Sequence, residues 1–154
     1  MPHFPCPPFT AESVTRKVRI IEDSWNSRDP SRVALNYTID CVWRDGIRCL
    51  SGRIAIETFL AHKWSKELDY RLIGELWAFT DNRIAVRFTS EYHHTRGAWL
   101  RAYGSEHWEF DLDGLIRRRY CSINECPIAE TERMFLWPPG PRPHDHPELS
   151  HFDL

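Results

Sequence analysis

The sequence predicts an α+β fold: three N-terminal helices packed on one face of an antiparallel sheet, followed by an extended Pro-rich C-terminal tail. Three observations predict it. Apolar residues recur with a period near 3.6 up to Leu68 and with a period of 2 after it. The alternating stretches are joined by turns of only a few residues, which suit antiparallel pairing and leave no room for crossovers. Past residue 124, Pro127, Pro138, Pro139, Pro141, Pro143 and Pro147 prevent a long regular element. Helices segregated ahead of a meander place those helices on one sheet face.

Residues 1–9 form a Pro-rich arm. Thr10 is placed to cap a helix, with Glu12 in its first turn where the dipole favours an anion. Val14, Val18, Ile21 and Trp25 then make one apolar stripe. Asp29 as cap and Pro30 at the first helical position start a short second helix carrying Val33, Ala34 and Tyr37. A short strand from Cys41 to Arg44 runs into an Asp45-Gly46 turn, and Ser51 is expected to cap a third helix with Ile56, Leu60 and Trp64 on one side. Strands are predicted over 69–80, 83–93, 98–110 and 115–124, with turns at Asp81-Asn82, His94 to Gly97 and Asp111 to Gly114. The domain is thus expected over 1–124. The tail, 125–154, carries Phe135, Leu136 and Trp137, so it is expected to pack on the domain or on a dimer partner.

Composition narrows the function. A chain of 154 residues, 42% hydrophobic and 27% charged, is one domain able to bury a core. A net charge of -2 gives no cationic field, so no nucleic-acid partner is expected. No apolar run is long enough to span a membrane, and residues 1–8 lack the features of a signal peptide. Five Cys without CxxC spacing fit reduced thiols and a cytoplasmic location. His93-His94 point to opposite faces of a strand, and His144, His146 and His151 lie in the tail, so no metal site is expected. Nucleotide-binding Gly motifs are missing too, and no cofactor is expected.

Turn lengths set strand pairings of Thr80 with Arg83, His93 with Ala98, and Phe110 with Leu115. One sheet face then carries Arg87, Glu91, Glu106 and Arg119 beside Gly104, Trp108 and Cys121. The other is aromatic, with Trp77, Phe79, Phe88, Tyr92, Trp99, Tyr103 and Tyr120. Three helices cover one face only. An uncovered aromatic face predicts a homodimer through it. A slip of one residue inverts the faces, and with helices on the aromatic face the charge cluster is a solvated surface.

The element order ending in "FDLDGLIRRRYCSIN" resembles the nuclear-transport-factor-2-like superfamily, which holds ketosteroid isomerases, scytalone dehydratases and polyketide cyclases. The segments "FTAESVTRKVRIIEDSWNSRDPSRVALNYT", "KELDYRLIGELWAFTDNRIAVRF", "YGSEHWEF" and "WPPGPRPHDHPELS" resemble one bacterial and fungal subfamily, a domain of unknown function. The resemblance implies a cone-shaped roll whose inner sheet face and helices enclose a pocket. It turns Gly104, Glu106, Trp108, Arg119 and Cys121 inward. Asp45 falls where ketosteroid isomerases hold their general base, and Glu106 where they hold an oxyanion-hole acid. Their first-helix phenol falls at Ile21, so ketosteroid isomerisation itself is not implied.

The candidate catalytic residues are Asp45, a carboxylate at the mouth, and Glu106, a carboxylate opposed to an Arg. Candidate ligand-binding residues are Trp43, Trp64, Arg87, Glu91, Gly104, Trp108, Arg119 and Cys121. The Trp rings suit a flat ligand, an Arg with spare donors suits an oxygen, and Gly104 leaves space. Two readings stay open. One is a cofactor-free isomerase, cyclase or lyase acting on a small molecule. The other is a non-catalytic binding or assembly module of the same fold.

Overall fold

The computed structural model describes residues 2–154. Helix α1 (Ala11–Asn26) begins at Thr10, whose hydroxyl accepts from the Ser13 N–H while the Ser13 hydroxyl accepts from Thr10 N–H, a reciprocal capping box. Its stripe of Val14, Val18, Ile21 and Trp25 is buried. Asp29 caps α2 (Pro30–Ala34) by accepting from the Ser31 N–H at 3.0 Å, and Pro30 stands in the first turn. Strand β1 (Tyr37–Asp45) turns back into β2 (Arg48–Ser51), an element absent from the predicted order. Ser51 therefore ends a strand rather than capping the next helix. α3 (Arg53–Lys66) starts from Gly52 at φ 86°, with no side-chain cap. The backbone conformation there favours Gly, and Ser51 lies outside it.

Strands β3 (Leu68–Phe79), β4 (Arg83–His93), β5 (Trp99–Phe110) and β6 (Ile116–Ile128) form the meander. The six strands make one curved, unclosed sheet in the order β2-β1-β6-β5-β4-β3. It is mixed rather than wholly antiparallel, because β1 runs parallel to β6. β6 continues four residues past the predicted end at 124. Pro127 fits there because β1 pairs with β6 only as far as Cys121, leaving that side of the strand without a ladder to break.

The main core lies between the helices and the inner sheet face. A smaller one lies on the outer face, where Phe135, Trp137 and Leu149 of the C-terminal segment pack around Ile73. Glu91 fixes that segment by accepting the backbone N–H groups of Met134 and Phe135 at 3.0 and 2.8 Å, and Arg71 donates to the Trp137 carbonyl at 2.9 Å. None of the described helices is long and apolar enough to cross a membrane.

Candidate functional site

Helices α1 and α3 and every strand but β2 contribute to one cavity. Strands β5 and β6 build its floor: Glu106 stands opposite Cys121, and Trp108 opposite Arg119. Helix α1 adds Ile21, Glu22 and Trp25, while Tyr70 and Gly74 come from β3 and Phe88 and Ser90 from β4. α3 supplies Phe59 and Lys63, one helical turn apart, and Asp45 closes the rim from the end of β1. The enclosed space is about 60 Å³.

Glu106 and Arg119 form a buried ion pair, Arg119 Nη2 donating to Glu106 Oε1. The second Glu106 oxygen accepts from Trp108 Nε1 at 2.6 Å. Arg119 lies over Trp43, 4.2 Å from the ring centroid, and near Trp25 at 5.4 Å. Burial is the largest influence and lowers the Arg119 pKa, but the Glu106 carboxylate, Cys121 and Tyr37 together hold the guanidinium above its ordinary value. Among the described residues, the buried Arg119 Nε–H has no acceptor, and the buried Tyr37 hydroxyl and Trp43 Nε1 have no partner. Burying donors without acceptors is costly, so this corner is short of oxygen atoms.

The other polar groups differ in charge state. Burial, and then Glu106, push the Cys121 thiol up to about 12, so it is protonated near neutral pH. Burial also raises the Tyr70 phenol well above its usual value. Lys63 Nζ is 2.7 Å from Glu67 Oε1, with Tyr70 beneath it at 5.4 Å. Among the described residues, half-buried Asp45 makes no ion pair and no side-chain hydrogen bond.

Of the residues proposed from sequence, the cavity brings together Asp45, Glu106, Trp108, Arg119 and Cys121. It does not include Arg87 or Glu91. Both stand on the outer face, Arg87 paired with Glu75 at 2.9 Å and Glu91 with Arg101 at 2.7 Å. The β4–β5 connection is one residue longer than assumed, so His93 pairs with Trp99 rather than Ala98. A bulge at Trp77 between paired Leu76 and Ala78 shifts β3 to match. Val86, Phe88 and Ser90 consequently face inward. Gly104 lines no free space, because the Phe88 ring occupies it: a Cβ there meets Phe88 Cζ at 2.4 Å. Trp43 and Trp64 pack on Trp25 behind the wall. Sequence reasoning passed over Glu22, Lys63 and Tyr70. Tyr70 was signalled by strand alternation, and Lys63 by its position one turn after Phe59.

A family model described as "Protein of unknown function (DUF1348)" matches residues 7–136. A search of curated proteins finds no match. Among solved structures, this chain is similar to an NTF2-like protein of unknown function from Cytophaga hutchinsonii, at 14% identity and TM-score 0.56. That match covers 71% of this chain and 97% of the other. It is also similar to AclR, a putative hydroxylase from Streptomyces galilaeus, at 18% identity and TM-score 0.65, covering 75% and 81%. A putative isomerase from Bacillus subtilis matches at 15% identity and TM-score 0.62, covering 73% and 87%. At these identities the likeness shows the fold, which is NTF2-like.

Proposed function

We propose, for a chain that belongs to the protein family of unknown function DUF1348 and has an NTF2-like fold, a cofactor-independent isomerase, cyclase or lyase of small carbonyl compounds. One observation carries the reading. Asp45, a carboxylate without an ionic partner, and Arg119, a guanidinium with an unused N–H, line the same cavity. Asp45 takes a proton from the carbon beside the carbonyl. An isomerase returns it at another carbon with no net gain or loss. A cyclase lets the carbanion close on a second carbonyl carbon of the same substrate, whose oxygen takes the proton. A lyase lets a β-hydroxyl leave with that proton as water. The carbonyl oxygen gains charge as the proton leaves, and Arg119 and the Tyr70 hydroxyl are the donors that offset it. Glu106 has both oxygens occupied, so its role is to hold and charge Arg119. Cys121 is a neutral wall.

The cavity volume supports a second reading, a non-catalytic module. About 60 Å³ is far below the roughly 300 Å³ of ordinary ligand pockets. Deuterium exchange separates the two. Small ketones and aldehydes incubated with the protein in D₂O are followed by proton NMR. The catalytic reading expects exchange above the buffer rate, falling on the order of 10²-fold or more in Asp45→Asn. Exchange at the buffer rate throughout, or equal rates in wild type and variant, leaves the module. Native mass spectrometry of freshly purified protein identifies any small molecule carried along.

The same proposal includes a cytoplasmic homodimer. Tyr103 and Tyr120 are exposed on the outer face, and Trp77, at the β3 bulge, is 74% exposed, more aromatic surface than a monomer ordinarily shows. A monomer in sedimentation at micromolar concentration overturns the dimer.

A further inference from the structure

We propose that the cavity has a second opening, at Gly74 between α1 and β3, and that Arg142 of the C-terminal segment is its latch. A cleft of about 310 Å³ lies on the far side of this wall, bounded by Arg19, Glu75, Arg142 and Glu148. It shares Val18, Glu22 and Gly74 with the main cavity. These three residues face both spaces and belong to the partition between them. Gly74 contributes no side chain to it. A Cβ built there meets nothing closer than Val18 Cγ1 at 4.0 Å, so the backbone leaves a gap.

Glu22 closes the wall beside this gap. Its Oε1 accepts the Gly74 N–H at 2.9 Å, and Arg142 grips the same carboxylate from the cleft side, Nε to Oε2 at 3.0 Å and Nη2 to Oε1 at 3.2 Å. The Arg142 carbonyl in turn accepts from Arg19 Nη2. Glu22 and Arg142 are both buried, and burial raises the Glu22 pKa despite Arg142 beside it. A buried carboxylate stays in place because a fork of N–H donors replaces water. Without the fork, the carboxylate regains hydration by admitting water through the gap or by swinging into the cleft. The route then admits solvent and molecules of a few heavy atoms. It does not depend on the chemistry proposed above.

Cys121 lines the main cavity and also a shallow cleft beside Arg44 and Tyr120 that neither Glu22 nor Arg142 touches, so the change in its rate between variants reports on the second opening. Cys41 is buried elsewhere in the core, and Cys49 is exposed. The full chain is treated with methyl methanethiosulfonate, and each cysteine is followed by peptide mass spectrometry, with Cys49 as the internal standard. Arg142→Ala is expected to raise the Cys121 rate on the order of tenfold or more while Cys41 stays at its wild-type rate. Glu22→Gln cuts the latch from its other side without changing side-chain size, and is expected to act in the same direction. Arg142→Lys, which keeps the charge and loses the fork, is expected to fall between. An unchanged Cys121 rate in both Arg142→Ala and Glu22→Gln overturns the proposal. So does a rise of Cys121 and Cys41 together, which is global loosening.

Discussion

Gly104→Ala tests how tightly the cavity floor is built. A Cβ at this position falls 2.4 and 2.6 Å from Phe88 ring carbons and 2.6 Å from the Ser122 carbonyl oxygen. The two obstacles differ. The ring can rotate, but inward, into a cavity of only about 60 Å³. The carbonyl belongs to the β5–β6 ladder, where Gly104 pairs with Ile123 and Ser105 with Ser122, so it moves only with the sheet. Overpacking of this kind costs about 1–3 kcal/mol, and an unyielding backbone neighbour places this case in the upper half, about 2–3 kcal/mol. For a chain of this size each kcal/mol lowers Tm by about 2–4 °C, so calorimetry is expected to show a fall of about 4–12 °C. Phe88→Leu removes the ring contact and leaves the carbonyl. In that background Gly104→Ala is expected to cost about 1 kcal/mol less. A Tm within about 1 °C of wild type, or equal losses in both backgrounds, refutes the packing account.

Glu106→Gln leaves Arg119 buried without its anion and is expected to cost about 3–5 kcal/mol in urea unfolding. Glu109→Gln, whose partners Arg83 and Arg117 are exposed, is expected to cost under about 1 kcal/mol, so equal midpoint shifts contradict the assignment. Burial lowers the Lys17 pKa from 10.5 to about 8. Between those values the unfolded chain binds the proton and the folded chain does not, so this residue makes stability rise with pH from about 8. Subtracting the Lys17→Met curve from wild type between pH 7 and 10 is expected to leave a rising difference; a flat one contradicts it. Thr10→Ala removes half of the α1 capping box and is expected to cost about 1 kcal/mol, read as a urea midpoint shift at unchanged slope.

Elements fixed by local chemistry were legible in the sequence. Thr10 starts α1, and Asp29-Pro30 starts α2, because cap and first turn are set within a few residues. β2 was not legible. Its four residues are mostly exposed, and only pairing with β1 makes them a strand. The candidate site was legible on β5 and β6, where the assumed register was off by two, a shift that keeps every side chain on its face. On β4 the shift was one, and it sent Arg87 and Glu91 to the wrong face. Two signals conflicted there. Turn counting put Arg87 inward, whereas the alternation of Ile84, Val86 and Phe88 puts the apolar residues inward. The strand's own pattern was the better guide. Burying an apolar face is favourable over the whole strand, whereas one residue more in a loop changes little.

The two misassigned charges clarify what separates a structural ion pair from a candidate site. Glu91 with Arg101 and Glu106 with Arg119 are both buried pairs on one sheet, facing opposite ways. The outer pair is saturated. Glu91 accepts from Arg101 Nε and Nη2 and from two backbone N–H groups, and Arg101 Nη2 also reaches the Glu132 carbonyl. No further oxygen is needed, and the pair staples the C-terminal segment to the sheet. The inner pair is satisfied on its carboxylate side alone, since Arg119 keeps an N–H without an acceptor. Removing an unmet donor's cost is favourable for whatever brings it an oxygen, water or ligand. Total charge does not distinguish the two pairs; the unmet N–H does, and only the pair that carries it borders a cavity.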